Sequence, residues 1–365
     1  MAFNILSILV AIITLIGLMV FHEFGHFFIA KRRGVKIEEF GIGYPPRLFG
    51  KKFGETIYSL NLIPFGAFVK IYGEEGGVED YRSFSGKKIW ERVLIVLGGV
   101  IAFWIISAIL LIIVFGLGTP TPVEDNVSDN LINPRVQITA VALGSPAAMA
   151  GLEPFDTILS LKSGEEQLKT DKTEEIIKFV NNHKGEEVTL TIQRWGKSFD
   201  VSLTPRAVPP AGEGPLGVGL TRMALVPSPW YKAPYEGVKA CGRLTVATLE
   251  SLGSLVVQII YEREVPAGVT MMGPLGLFDF LKQAFQLGIN YFLYFVALIS
   301  VYLAIFNLFP IPALDGGKLL FLAIEAIRKK PVPQKIEQNV TTAFFVSLII
   351  LMIFVTIKFD IPKVF

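Results

Sequence analysis

Four long runs of apolar residues divide the chain, and each is long enough to cross a lipid bilayer as a helix. They lie at about residues 5–30, 93–117, 289–309 and 340–357. Between the second and third runs the pattern changes to short strand-like and helix-like segments, as in a water-soluble domain. The pattern therefore predicts a polytopic α-helical membrane protein with about four transmembrane helices and one folded insert.

The insert, at residues 134–206, has the pattern of one small α/β unit. VQITAV and DTILSLKS predict strands, TEEIIKFVNNH has helical periodicity, and EVTLTIQRWG with KSFDVSLTP predicts a hairpin around Gly196. Residues 207–286 predict a linker rich in Pro and Gly, followed by an amphipathic segment on the outer face of the membrane. Lys239, Arg243 and Glu250 interrupt that segment, which argues against a fifth span. A buried helix of the bundle is the alternative.

Basic residues concentrate in two of the connections. Residues 34–92, between the first two apolar runs, include Arg47, Lys51, Lys52, Lys87 and Lys88, and the last connection includes Arg328, Lys329, Lys330 and Lys335. Loops rich in Lys and Arg stay in the cytoplasm. The charges therefore predict that both termini and the insert are extracytoplasmic.

Composition agrees with a membrane protein and excludes two other classes. Of the 365 residues, 52% are hydrophobic, and the mean hydropathy is +0.53, which is too apolar for an ordinary soluble protein. The net charge of +2 gives no case for nucleic-acid binding. Cys241 is the one cysteine, so the chain has no internal disulfide framework.

The first apolar run contains the motif HEFGH, residues 22–26, in its second half. Residues four apart on a helix share a face, so His22 and His26 can bind one zinc ion, and Glu23 can activate water as a general base. The chain has only three histidines, and polar residues at membrane depth are costly, so we interpret the motif as a zinc site rather than a chance match. The third, His183, is predicted to be a surface residue at the end of a helix.

A catalytic zinc site normally has three protein ligands, so one more is needed. The candidate is Asp315 in NLFPIPALDGGK, where Pro310 and Pro312 break the third apolar helix. Irregular backbone at membrane depth is tolerated where it lines a cavity or is buried in protein, so a carboxylate here can face the metal. The alternative is that Asp315 only caps the next helix, which is predicted to begin near Lys318.

Residues 34–92 contain short apolar or alternating runs separated by turn residues, which predicts a β-rich segment on the cytoplasmic side of the membrane. Strands beside an intramembrane site offer backbone edges with which an extended peptide can pair. The alternative is a loop that only packs against the cytoplasmic mouth of the site.

Together, HEFGH and the distant NLFPIPALDGG resemble the site-2 protease family of intramembrane zinc metalloproteases, and within it the bacterial RIP metalloproteases. YSLNLIPFGAFVK resembles the membrane-associated strand segment of that family, and Gly41-Ile42-Gly43 resembles its glycine-x-glycine β-loop. GPLG, residues 273–276, resembles the GPxG element before the third core helix. SPAAMAGLEPFDTILSL is similar to a PDZ domain.

The resemblance implies a site and a reaction. His22, His26 and Asp315 would bind Zn²⁺ and Glu23 would activate water, and the substrate would contact Asn307 and Gly41, Ile42 and Gly43. The reaction would be hydrolysis of peptide bonds within or near transmembrane segments of single-pass proteins, such as anti-sigma factors and remnant signal peptides, in a bacterial inner membrane.

Two features depart from the family pattern. Val100 and Ala102 stand where the family commonly has proline and asparagine. The PDZ-like unit has Pro154-Phe155-Asp156 where Gly-Asp is usual, and it is single where many relatives have two. Its ligand preference therefore does not carry over.

A membrane zinc transporter or a metal-dependent scaffold is the alternative from another class. Such a protein needs metal ligands, but it needs neither a general-base glutamate nor a peptide-binding edge. A catalytically inert adaptor is disfavoured because His22, Glu23, His26 and Asp315 are all present.

Overall fold

The computed structural model describes residues 2–361, except residues 75, 77, 79, 195, 211 and 263–272. The chain divides into two compact units. The first comprises Met1–Leu111, Glu236–Lys282 and Phe295–Phe365, and the second comprises Ile112–Tyr235 and Gln283–Tyr294.

The helices and strands follow one another along the chain as expected for a helical membrane protein with a β-rich insert. In chain order they are α1 (Ala2–Arg32), β1 (Ile37–Phe53), β2 (Thr56–Ile71), α2 (Ile89–Leu117), β3 (Thr119–Pro122), β4 (Ile132–Val141), α3 (Pro146–Met149), β5 (Thr157–Ser163), β6 (Glu166–Leu168), α4 (Thr173–Asn182), β7 (Val188–Arg194), β8 (Lys197–Leu203), β9 (Val218–Val226), α5 (Ala233–Glu262), α6 (Pro274–Leu287), α7 (Ile289–Asn307), α8 (Asp315–Arg328) and α9 (Gln334–Val355). A π-helical turn, Thr356–Asp360, continues α9.

Five of the described helices are long and apolar enough to cross a membrane by length and composition. Four of them, α1, α2, α7 and α9, contain the apolar runs that the sequence pattern singled out. The fifth is Ala233–Gln258 within α5, where the sequence predicted an amphipathic segment. Its mean hydropathy is 1.2, against 2.1 to 3.0 for the other four. By length and composition α5 is therefore a fifth candidate span, in addition to the four predicted from the sequence.

The chain enters α5 and begins α7 at the same end of α2. The backbone N–H of Ser228, shortly before α5, donates to the carbonyl oxygen of Phe115 over 2.9 Å. Nδ2 of Asn290, in the first turn of α7, donates to the carbonyl oxygen of Gly118 over 2.6 Å. The chain between these points must therefore return to the side from which it left, so a crossing by α5 would require a second crossing before α7.

In the first unit, hydroxyl groups join α2 to α7. Oγ of Ser107 donates to the carbonyl oxygen of Ala297 over 2.9 Å, and Oγ of Ser300 donates to that of Phe103 over 2.8 Å. Such interhelical hydrogen bonds hold helices together where no water competes. The pairing runs in opposite directions along the two helices, so α7 ends near the start of α2.

The two long strands of the first unit fold over each other. Residues 39–42 of β1 pair with residues 57–60 of β2 on one side and with residues 67–70 of β2 on the other. The β-rich segment predicted for residues 34–92 is thus present. Among the described residues, 67–70 pair only with β1, so this part of β2 is an open edge of the sheet.

The second unit is built on a seven-stranded sheet in the order β3-β9-β4-β5-β7-β8, with β6 paired to β5. Its core consists of the apolar faces of the strands and of α4, including Ile138, Ile158, Ile176, Leu190 and Ile192. The hairpin predicted around Gly196 is formed by β7 and β8.

The sheet of the second unit includes strands outside the residues 134–206 predicted for the insert. Strand β9 lies in residues that the sequence assigned to a linker, and it pairs with β4 and β3 on its two sides. A run rich in Pro and Gly concealed this strand, because its partners are distant in sequence. The sheet therefore extends from Thr119 to Val226.

Candidate active site

Three potential metal ligands converge where α1 meets the start of α8. Nε2 of His22 and Nε2 of His26 lie 3.3 Å apart, and Oδ2 of Asp315 lies 3.5 Å from the first and 3.3 Å from the second. All three ligand atoms lie within 4.8 Å of one another, and both histidines are buried. The pair four residues apart on α1 thus gains its third member from a residue 289 positions further along.

These residues fit a zinc ion. Two imidazoles and one carboxylate are a usual ligand set for catalytic zinc, which leaves one coordination position open. Oδ2 of Asp315 is buried, and within the described residues it accepts no hydrogen bond of good geometry. A buried carboxylate oxygen without a partner is costly, and a cation between the three atoms would remove that cost.

The chain fixes the direction in which His26 points. Its Nδ1 lies 2.9 Å from the carbonyl oxygen of Ile95 in α2, so it donates the ring proton there and Nε2 keeps a free lone pair. Hydrogen bonds of this kind set the tautomer of a metal-binding histidine and raise its basicity. The ring of His22 is held by stacking on Phe103, with ring centroids 4.7 Å apart.

A glycine of α2 makes room for both imidazoles. An ideal Cβ at Gly99 would lie 2.2 Å from Nε2 of His26 and 2.7 Å from Cε1 of His22. The neighbouring Gly98 allows close approach of the helices, because its Cβ would lie 2.6 Å from the carbonyl oxygen of Gly25 in α1. Any side chain larger than hydrogen at Gly99 would therefore displace the ligands.

Glu23 faces the open edge of the β-sheet. Its Oε2 accepts a hydrogen bond from the backbone N–H of Val69 over 3.1 Å. A cavity of about 210 Å³, the catalytic chamber, is lined by Glu23, His26, Asp315, Val69 and other residues of β2 and α2. The carboxylate of Glu23 thus lies in the same chamber as His26 and Asp315 and beside the open edge of β2.

Asp315 begins α8, but it does not cap that helix. The N-cap residue is Leu314, and no side chain makes a capping hydrogen bond there. The two glycines that follow permit this sharp turn, because a Cβ at Gly316 would lie 2.0 Å from the carbonyl oxygen of Phe309 and one at Gly317 would lie 2.4 Å from that of Ile311. The geometry favours the ligand interpretation over the capping alternative.

The structure shows the hydrogen bonds of the other predicted site residues. Asn307 is the last residue of α7, and its Nδ2 donates to the carbonyl oxygen of Leu303 over 2.9 Å. The backbone of Gly41 and Ile42 is paired on both sides, and the side chain of Asn61 donates to the carbonyl oxygens of Ile42 and Gly43. Their role in substrate binding stays a prediction, but the open edge near Glu23 belongs to β2. His183 lies in the second unit, with Nδ1 2.9 Å from the carbonyl oxygen of Phe179.

Sequence reasoning missed the residues that position the ligands. Ile95 acts through its carbonyl oxygen and Val69 through its N–H, and such backbone roles leave no mark in side-chain identity. The paired glycines at 98 and 99, in an otherwise apolar helix, were the available signal for close helix packing.

Comparison with known proteins shows the family of the chain. The model of peptidase family M50 matches residues 10–351. A protein of Clostridium perfringens named as a candidate zinc metalloprotease is 35% identical over 96% of this chain and 97% of its own length. A similar candidate from a Nostoc species is 32% identical over 97% and 95%. The regulator of sigma-W protease RasP of Bacillus subtilis is 27% identical over 98% of both chains.

The chain belongs to peptidase family M50, the site-2 proteases. It is therefore a zinc-dependent peptidase and a multi-pass membrane protein.

Proposed function

We propose that this protein hydrolyses peptide bonds within or near the transmembrane segments of single-pass membrane proteins. The observation that carries the proposal is the convergence of His22, His26 and Asp315. The two histidines and Glu23 belong to α1, a helix able to span a membrane. In this proposal the three residues bind the zinc ion and Glu23 is the general base.

The residues of the chain divide the chemical work. When bound, zinc acts as a Lewis acid that polarises the peptide carbonyl and lowers the pKa of water to about 7. Glu23 takes up the proton of the attacking water and returns it to the leaving amine. The N–H of Val69 holds one oxygen of Glu23 in place, which leaves the other free for water. Ile95 and Phe103 keep the two imidazoles oriented.

The substrate must be extended at the cleaved bond, because a helix protects its own peptide groups with hydrogen bonds. The open edge at residues 67–70 of β2, apart from the N–H of Val69 that donates to Glu23, can replace those bonds by pairing with the unwound segment. This edge lies beside Glu23, so pairing would hold the chain against the general base. Asn307 and Gly41, Ile42 and Gly43 are proposed as further substrate contacts on the basis of the family resemblance.

The substrate class follows from the relatives. The similar protein of Bacillus subtilis is named a regulator of sigma-W protease. By that similarity we infer that anti-sigma factors with one transmembrane segment are substrates, with remnant signal peptides as a second group.

The orientation follows from the basic residues. Residues 34–92 and the connection between α7 and α9 face the cytoplasm, and both termini and the second unit are extracytoplasmic. We propose a bacterial inner membrane as its location, because the similar proteins come from bacteria. The second unit is a PDZ-like domain that restricts access to substrates already shortened on the outer side.

Cleavage of a purified single-pass substrate by the full-length protein in liposomes tests the proposal. The products, mapped by mass spectrometry, should end within or near the transmembrane segment. A zinc chelator should stop the reaction and added zinc should restore it. Zinc uptake into the liposomes without any cleavage would favour the transporter instead.

A further inference from the structure

Two cavities of the first unit meet beside the active site. The catalytic chamber, of about 210 Å³, contains Glu23 and Asp315. A second cavity, of about 890 Å³, is lined by α8, the first turn of α9 and residues between β2 and α2. Glu74, Phe84 and Lys318 line both cavities. These three side chains therefore form a wall that the two cavities share.

An ion pair lies in this shared wall. Nζ of Lys318 contacts the carboxylate of Glu74. Lys318 is one turn after Asp315 on α8, and Glu74 is three residues beyond the end of β2. The pair thus connects the helix of the proposed third ligand to the strand with the open edge.

The ion pair is suited to exchange partners. The side chain of Lys318 is 42% exposed and that of Glu74 is 24% exposed, and both border the two cavities. Partly exposed ion pairs contribute little net free energy, so a competing charge can replace one member. Burial lowers the pKa of Lys318, but Glu74 and Asp315 raise it by more, so the pKa stands above its ordinary value and the ammonium stays charged.

A bound substrate must extend beyond the chamber. Sites for small molecules measure roughly 300–1,000 Å³, so the chamber has room for the cleaved bond and little more. The open edge of β2 runs through Val69 to Ile71, and the chain then reaches Glu74. A segment paired with that edge is led past the ion pair toward the second cavity.

The chemistry of the segment follows from membrane topology, and this step rests on the proposed function and orientation. The part of a single-pass substrate that passes here is its cytoplasmic flank, and such flanks are rich in Lys and Arg. Among the described residues that line the chamber, Lys318 is the only lysine or arginine. Its ammonium group pairs with the carboxylate of Glu74, as a cation of the substrate would.

We propose that the Lys318–Glu74 ion pair is a gate between the catalytic chamber and the second cavity. A lysine or arginine in the cytoplasmic flank of the substrate opens it by taking the place of Lys318 on Glu74. Glu74 is then a specificity-determining residue for substrates with a basic flank.

Two single-pass substrates test this gate, identical except that the cytoplasmic flank carries Lys and Arg in one and Gln in the other. The full-length wild type and the variants Glu74→Gln and Lys318→Met are compared by kcat/KM in liposomes, with zinc content measured for each. Glu55→Gln is the matched control, because Glu55 pairs with Arg82 and neither residue lines either of the two cavities.

The wild type should prefer the basic substrate about three- to fivefold, as the free energy of partly exposed ion pairs allows. Glu74→Gln should reduce this ratio to about one, and Glu55→Gln should keep it. Lys318→Met should cleave the neutral substrate faster than wild type, because the passage is then open, with unchanged zinc content.

Equal cleavage of both substrates by the wild type would overturn the gate while leaving the proposed function intact. So would a preference that survives Glu74→Gln. Zinc loss in Lys318→Met would assign the lysine to the metal site and also overturn it. Failure of the wild type to cleave either substrate would instead contradict the proposed function.

Discussion

Asp315 supplies the third proposed ligand from outside the histidine motif, and its Oδ2 is buried between two imidazole nitrogens. Loss of a hydrogen bond that supports a metal ligand lowers metal affinity about 10- to 100-fold. Asp315→Asn removes the negative charge of a ligand itself, so zinc affinity should fall by more than this. Zinc analysis of the purified protein measures this.

Asp200→Asn is the matched control for Asp315→Asn. Asp200 lies on β8, where it accepts a hydrogen bond from Thr191, away from any proposed ligand. This variant should retain zinc. Full zinc occupancy in both variants would show that another residue is the third ligand.

Gly99 determines whether both imidazoles fit beside α2. Gly99→Ala should lower zinc content and activity, because its Cβ would overlap Nε2 of His26. Gly116→Ala in the same helix has open space around the new methyl group. It should leave both properties unchanged and stabilise the helix slightly. Equal zinc content in the two variants would mean that α2 can move away from the ligands.

Residue identity predicted only part of this site. The spacing of His22, Glu23 and His26 and the break before Asp315 were enough to propose the ligands and the base. The carbonyl oxygen of Ile95 and the N–H of Val69 could not be predicted, because every residue offers the same backbone groups. Only the fold decides which of them reach the site.

At the scale of elements, helix α4 begins with a carboxylate that comes from far away in sequence. Asp125 accepts hydrogen bonds from the N–H and hydroxyl of Thr173 and from the N–H of Glu174. Thr173, at the point where the sequence predicted the start of the helix, is thus a donor to the cap. Carboxylates at helix N-termini are stabilising, since they satisfy free N–H groups and face the positive end of the helix dipole.

Asp125→Ala should destabilise α4 by about 1 kcal/mol. Hydrogen–deuterium exchange of residues 173–182 in the full-length protein measures this as faster exchange. Asp129→Ala, at an exposed position four residues later, should change nothing. Unchanged exchange in Asp125→Ala would mean that the cap contributes no stability.

The same cap predicts a pH dependence. Burial raises the pKa of Asp125, but the donors of Glu174 and Thr173 lower it by more, so the folded-state pKa lies below its ordinary value. Its contribution is therefore fully present above the unfolded pKa of about 3.9 and is lost as pH falls through the folded pKa. The difference between wild type and Asp125→Ala should accordingly narrow below about pH 4.

At the scale of elements, the local sequence pattern predicted neither strand β9 nor a candidate span in helix α5. β9 follows a segment rich in Pro and Gly, and it exists because β4 and β3 pair with it. For α5, the polar residues were given more weight than the total length of the helix. The formation of β9 thus depends on strands that are distant in sequence, and the length of α5 makes it a candidate span.

At the scale of the whole molecule, the sheet of the second unit can be removed by a single deletion between two paired residues. Thr119 and Val226 are paired across β3 and β9, so their Cα atoms are about 5 Å apart. Replacing residues 120–225 by Asn-Gly, a two-residue hairpin turn, should close the chain without strain. Removing only the predicted residues 134–206 would instead leave the β3–β9 pair without β4, the other neighbour of β9.

The shortened protein should retain zinc and cleave full-length substrates that the wild type ignores, if the unit restricts access. Glu23→Gln in the same background should remain inactive. If cleavage of trimmed substrates falls instead, the unit delivers substrate. Unchanged cleavage of both substrate forms would exclude both roles. Gel-based cleavage assays with matched full-length and trimmed substrates distinguish these outcomes.

The central claim is that Glu23 is the general base at a zinc site held by His22, His26 and Asp315. The most direct measurement is the cleavage rate of a purified single-pass substrate by wild type and Glu23→Gln, with zinc content determined on the same samples. Loss of a general base typically costs about 10²- to 10⁴-fold. We expect a loss of at least about 100-fold at equal zinc content. Cleavage by Glu23→Gln at the wild-type rate would contradict it.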